Sequence, residues 1–229
     1  MHAGRTIFSQ ILDHLPAKHF EYLCEKFQSN RWVQGFTAHS HLICMAYAQL
    51  TRRDGLRDLV ACLNSQGSKL YHLGLRQRVS RSTLADANEK RNYQLFEALG
   101  QRLIAQALQA YRDHDIGLGL SESLYAMDST VIELCLSLFP WAKFRRSSAA
   151  IKAHTVIDLR GNIPVLVSIT EGKVADVNLL AQLELPAGSI VVLDRGYWSF
   201  AALYKLVRKR MHFVIRARND LSYSVLSSQ

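Results

Sequence analysis

Three features of the 229-residue sequence predict an α/β protein with a helical N-terminal domain followed by a mixed-sheet domain. Apolar residues recur at spacings of three and four as far as residue 110, the period of helices that bury one face. From Leu124 onward, short runs rich in β-branched and aromatic residues replace that pattern, as strands require. These runs and two helical stretches follow the order strand, strand, strand, helix, strand, helix, strand. The Gly-rich segment from Asp115 to Ser121 is the expected junction, which sets the domains at 1–115 and 116–229.

In the first domain, Phe8, Ile11, Leu12 and Leu15 form one stripe before Pro16, and Phe20, Leu23, Cys24 and Phe27 form a second. Leu42, Met45, Ala46, Gln49 and Leu50 form a third. A short helix from Leu56 to Leu63 follows the Arg52-Arg53-Asp54-Gly55 break, and 64–68 reads as a loop. Ser80 or Ser82 caps the next helix, and Leu95, Phe96, Leu99, Leu103 and Ile104 supply the buried stripe beyond it. The turns around that cap carry Arg78, Arg81, Ser82, Thr83 and Asn88. Cations and hydroxyls at a helix start suit a DNA phosphate backbone; the plainer reading is a capped, solvated basic helix.

The second domain opens with a strand from Leu124 to Ile132 that carries Asp128. Residues 149–159 and 163–170 form a hairpin across Gly161-Asn162. A helix over 174–183, with Asp176 as its cap, leads to Ile190-Val-Val-Leu193, a continuous apolar run that suits a strand buried on both faces. Asp194 stands at the carboxyl end of that strand, the usual place for chemistry in an open α/β sheet. Gly196 permits a tight turn after it, and Arg195, Tyr197 and Trp198 place a cation and two rings beside the carboxylate. A basic helix over 200–210 and a strand over 212–217 complete the series.

That order is the first part of the ribonuclease-H-like fold, whose first and fourth strands lie side by side. Asp128 and Asp194, 66 residues apart in sequence, therefore meet in space. Two adjacent carboxylates are costly without a cation, and hard oxygen ligands with open positions suit Mg²⁺ or Mn²⁺. A metal pair there would activate a hydroxyl nucleophile and stabilise the leaving oxygen of a phosphodiester.

Charge points the same way. The formal net charge is +9, with 15 basic against 10 acidic residues up to residue 115 and 13 against 9 beyond it. A basic surplus in both halves favours a polyanionic partner, and nucleic acid rather than membrane, since no polybasic run or basic amphipathic helix is present to hold lipid. Cys24, Cys44, Cys62 and Cys135 lie scattered without zinc-site spacing and read as reduced core thiols. With no signal peptide and no membrane-length apolar run, the expected location is the cytoplasm.

Several runs carry a family resemblance. Ala126-Met-Asp-Ser-Thr130, the stretch from Ile151 to Pro164, and Val192-Leu-Asp-Arg-Gly-Tyr-Trp198 resemble the blocks of DDE transposases of the insertion sequence 4 family. Phe8-Ser-Gln10, the stretch from Gln49 to Asp58, Tyr71-His-Leu-Gly74 and the stretch from Ser80 to Asn88 resemble the helical domain of one branch of that family. The resemblance covers nearly the whole chain. It implies that Asp128 and Asp194 are the first two acids of a catalytic triad that holds Mg²⁺ or Mn²⁺. It also implies double-stranded DNA partners, both transposon terminal inverted repeats and target DNA.

The third acid of the family is a glutamate in a Tyr, Arg, Glu, Lys signature, and this sequence has no Glu beyond Glu184. The expectation is an incomplete ribonuclease-H-like domain, from a truncated transposase with little activity alone. The alternative is a non-catalytic DNA-binding protein that regulates intact transposase, as a homodimer or in mixed dimers. A phosphatase reading of Asp128-Ser-Thr130 fails on Thr130, where that class wants a second Asp. Simple decay, with an uncovered sheet, is a fourth reading.

The resemblance also puts Lys152 and His154, which alternate on one strand, near the site and within reach of DNA phosphate; a core histidine is the plainer reading of His154. Arg145 and Arg146, beside Trp141 and Phe144, read as a solvated basic loop before a DNA contact. For Glu171 and Asp176, capping or exposure is preferred over approach to the metal.

Overall fold

The computed structural model describes residues 6–114, 116–134, 137, 142–145 and 148–217. Cys135, Trp141 and Arg146, and Asp115 of the expected junction, lie outside the described residues. The chain divides into two compact units, Met1–Leu103 and Ile104–Gln229.

The first unit is helical: α1 (Ile7–Leu12), α2 (Ala17–Lys26), α3 (Ala38–Leu50), α4 (Leu56–Ser65), α5 (Arg81–Lys90) and the start of α6 (Gln94–Ala110). Its apolar side chains form two clusters, one around Ile43, Leu59, Leu63 and Leu84 and the other around Phe20, Leu23, Leu95 and Leu99. Phe20, Leu23 and Cys24 of the second stripe and Leu95 and Leu99 of the last are buried there, with Phe27, Phe96 and Leu103 packed against them, while Ile11 of the first stripe is exposed. In α3 the buried face is Ile43, Cys44, Tyr47 and Ala48 rather than the expected stripe, and Leu50 is exposed. The reason is that α3 touches both clusters: Leu42 packs against one and Met45 against the other, so no single stripe describes it. The segment read as a loop at 64–68 instead finishes α4 and enters a 3-10 turn, Gly67–Leu73.

The second unit holds six described strands and two helices. In chain order these are β1 (Leu124–Leu134), β2 (Lys143–Arg145), β3 (Ser148–Asp158), β4 (Ile163–Glu171), α7 (Asp176–Leu180), β5 (Ile190–Leu193), α8 (Phe200–Arg208) and β6 (His212–Ile215). The sheet runs β2-β3-β1-β5-β6, with β4 also paired to β3. The pairs β1/β3 and β3/β4 are antiparallel, and β1/β5 and β5/β6 are parallel, which is the ribonuclease-H-like arrangement. The short β2 has no counterpart in the sequence reading, because a three-residue strand leaves no detectable period. The β3–β4 hairpin turns at Asn162, in the left-handed region at φ 53°, as the Gly161-Asn162 pair predicts. Gly161 is required there by close approach, since an added Cβ would meet the Tyr111 ring at 2.7 Å.

One face of this sheet is the core. Tyr125, Met127, Val156, Val191 and Leu193 pack under Leu180 of α7 and Ala202, Leu203 and Leu206 of α8. The opposite face leaves Val167, Ile169 and Val214 exposed and Ile190 and Val192 half-buried, so β5 is covered on one face and not on both. No helix among the described residues is long and apolar enough to cross a membrane.

Candidate active site

The parallel register between β1 and β5 brings the two candidate acids together. Its last pair is Met127 with Leu193, so Asp128 and Asp194 are the next residues on neighbouring strands, which lie about 4.8 Å apart. Both are exposed. Each carboxylate accepts one local backbone bond through Oδ1: Ser129 N–H donates to Asp128 at 2.7 Å, and Gly196 N–H donates to Asp194 at 2.9 Å. The second bond caps a 3-10 turn, Arg195–Tyr197, and ties the orientation of Asp194 to that turn. A Cβ at Gly196 would stand 3.0 Å from Asp194 Oδ1, so a larger residue there would press on that carboxylate.

Among the described residues no group of three or more His, Cys, Asp or Glu side chains is placed to hold a metal. Asp128 and Asp194 are hard oxygen donors, the kind that suits Mg²⁺ or Mn²⁺ rather than a thiolate- or imidazole-seeking ion.

The residues after Asp194 separate in role. Arg195 is exposed and Trp198 half-buried, its ring edge-on to Phe200 at 6.0 Å. Tyr197 is 1% exposed and belongs to the core beside Leu180 and Leu203. Burial pushes its phenol up to about 12, the carboxylates of Asp176, Asp128 and Asp194 act in the same direction, and the Ser129 hydroxyl opposes them. Tyr197 is therefore a neutral ring at the root of the acid pair and not a surface for DNA.

Lys152 and His154 lie on β3 opposite Val131 and Ser129 of β1. Lys152 Nζ donates to Asp176 Oδ1 at 3.1 Å and to the Val174 carbonyl at 2.9 Å, and only 14% of its side chain is exposed. His154 is fully buried; its Nε2 bonds Thr170 Oγ1 at 2.8 Å, and Nδ1 lies 3.6 Å from Asp176 Oδ1. Burial pushes the imidazole pKa down, with Asp176 opposing and Lys152 reinforcing the shift. The core reading of His154 is the one the structure bears out, and the Lys152 ammonium is already engaged within the protein. Asp176 is not the cap of α7: Ala175 holds that position without a side-chain bond, and the Asp176 carboxylate turns to Lys152 instead. Glu171 pairs with Lys173 at 2.8 Å.

The remaining candidates lie on α5 in the helical unit. Ser80, not Ser82, is the cap, accepting from Thr83 N–H at 3.0 Å and sharing hydroxyl bonds with Ser82 and Thr83. Arg78, Arg81, Ser82 and Thr83 are exposed. The Asn88 amide oxygen is bonded to His41 Nε2 at 2.6 Å, which fastens α5 to α3. Sequence reasoning left Ser129 out of the site; its only signal was its place next to Asp128.

Comparison with known proteins follows the same division. Residues 119–226 match the family described as "Transposase DDE domain", and residues 3–76 match a "Domain of unknown function (DUF4372)". The chain is 27% identical over 143 residues to the "Putative transposase y4zB" of Sinorhizobium fredii (strain NBRC 101917 / NGR234), a match covering 62% of this chain and 38% of that protein. It is 28% identical over 104 residues to the "Probable transposase for insertion sequence element IS5377" of Geobacillus stearothermophilus, covering 45% of this chain and 27% of the other. The matched region is thus well under half the length of either relative.

Proposed function

We propose that this chain, whose residues 119–226 match the transposase DDE domain, is a DDE transposase in which Asp128 and Asp194 hold Mg²⁺ or Mn²⁺ for phosphodiester chemistry at transposon ends. The observation that supports it most is the parallel β1–β5 register, which aligns two exposed carboxylates where β5 ends. A bound divalent cation supplies an activated hydroxyl nucleophile and a stabilised leaving oxygen. The chain's own part is to hold the two carboxylates in place on a rigid sheet. The helical unit, with Arg78, Arg81, Ser82 and Thr83 exposed on and beside α5, binds double-stranded DNA at the terminal inverted repeats, and the protein acts at the nucleoid.

On this reading Asp128 and Asp194 are two members of a three-acid site, no Glu follows Glu184 in these 229 residues, and this polypeptide alone cuts little or not at all. Mn²⁺ binding to the purified chain, followed by electron paramagnetic resonance, tests the acid pair. Asp128→Ala or Asp194→Ala should weaken it by more than about a hundredfold, beyond the loss typical of an outer partner. Mn²⁺ affinity indifferent to both substitutions would sink the metal assignment, and robust Mg²⁺-dependent cleavage of terminal repeats by the chain alone would sink the claim of inactivity.

A second reading is a non-catalytic regulator that occupies transposon ends or dimerises with intact transposase. The exposed cations around the start of α5 favour it, since they need no acid pair. It expects salt-sensitive DNA binding that survives both alanine substitutions.

A further inference from the structure

Within the sheet unit, a charged pair lies on the core side of the sheet, and neither partner is exposed. α7 has five residues and no side-chain cap, so it has little stability of its own. Two kinds of contact fasten it. Leu180 is fully buried in the core cluster, with Val177 and Leu179 packed against it. At the other end Lys152 reaches from β3 and grips the segment on both sides of the helix start, through the Val174 carbonyl and the Asp176 carboxylate. His154, two residues along the same strand, backs the same carboxylate at 3.6 Å and is itself anchored to Thr170 of β4.

The fastened helix bears on the acid pair. α7 packs against the 3-10 turn Arg195–Tyr197, the turn that Asp194 caps. Tyr197 of that turn shares a core cluster with Leu180 and Leu183. A displaced α7 would release Tyr197 and the turn, and with them the orientation of Asp194 beside Asp128.

We propose that Asp176 and Lys152 are positioning residues: their ion pair clamps the start of α7 to β3 and so sets the geometry of the Asp128–Asp194 site. Lys152 is then a strut and not a ligand of DNA phosphate. The inference rests on the acid pair being a metal site.

Outer partners of metal ligands typically contribute tenfold or more to affinity, so Asp176→Asn and Lys152→Met should each weaken Mn²⁺ binding to the purified chain by about tenfold. The double variant should be no weaker than either single one, because both break the same contact. Lys152→Arg, which keeps the charge, should stay near the parent and shows that a loss in Lys152→Met is not general misfolding; circular dichroism melts check the same for each variant. Binding of a labelled random-sequence DNA duplex, measured across salt concentrations, separates the two roles of Lys152. A strut leaves the salt slope unchanged, whereas a phosphate contact removed by Lys152→Met lowers it by about one.

Parent-like Mn²⁺ affinity in folded Asp176→Asn, or a reduced salt slope in Lys152→Met, overturns the inference while Asp128→Ala still abolishes binding. If Asp128→Ala has no effect on Mn²⁺, the metal reading itself has failed, and the clamp loses its object with it.

Discussion

The helical unit and the sheet unit use charge in opposite ways. In the helical unit the buried polar bonds are mostly between neutral groups: His41 with Asn88, and Asn64 with both the amide and the carbonyl of Val79. Arg91, donating to the Phe36 and Thr37 carbonyls, and Arg53, donating to the Thr51 carbonyl, are exceptions, while Arg78 and Arg81 stay exposed. In the sheet unit the positions reverse, with acids Asp128 and Asp194 exposed and the cation Lys152 drawn inward as a strut. A cation left in water keeps its hydration and is free to meet phosphate, whereas one drawn inward must be paired and is thereby committed to the fold. The basic surplus of this chain is therefore not one surface property: part of it faces partners and part of it holds the protein together.

The deepest test of the comparison is whether each unit depends on its own core. Leu206→Ala in the sheet unit and Leu84→Ala in the helical unit should each cost about 2–5 kcal/mol, measured by denaturant unfolding, because both side chains are essentially fully buried. A loss below about 1 kcal/mol at either site would mean that the core described for that unit is not the one that holds it.

Acid sharpens the comparison next. Burial pushes the pKa of His41 in the helical unit and of His154 in the sheet unit below the ordinary value of about 6.5. A group whose folded pKa is depressed contributes stability that is present above its unfolded pKa and is lost as pH falls through the folded value. Stability should therefore decline as pH drops below about 6.5. His41→Gln and His154→Gln should each flatten the decline, because burial is the largest cause of the shift at both. A decline unchanged in either variant would mean that its histidine does not carry this loss of stability.

The smallest expected effect lies on the DNA side. Arg78→Ala and Arg81→Ala should each weaken duplex binding uniformly across sequences and lower the salt slope by about one. Folding stability should stay within about 0.5 kcal/mol of the parent, since both side chains are exposed. A change in stability without a change in slope would place these arginines among the struts, with Lys152.

Much of this was legible in the chain. The periods of Phe20, Leu23, Cys24 and Phe27 and of Leu95, Leu99 and Leu103 are local patterns, and the core clusters contain them. Asp194 at the end of Ile190–Leu193 was readable because a short apolar run followed by an acid and a glycine marks a strand end and a turn. The face of α3 was not readable, because a helix between two clusters has no single stripe. The partner of Asp176 was not readable either: a first-turn Asp looks like a cap, and only the approach of β3 offers it an ammonium instead.

By itself the sequence determined the order of the longer elements of the sheet domain, the two acids, the basic surplus and the resemblance to DDE transposases, since each is written in neighbouring residues or in residue type. The tertiary structure decided the rest: that Asp128 and Asp194 stand in register, that Tyr197 and His154 are buried, and that Lys152 faces Asp176 and not solvent. The physical reason is that partners 22 to 66 residues apart are chosen by strand pairing and crossover packing, and the cost of burying charge then settles which groups must pair.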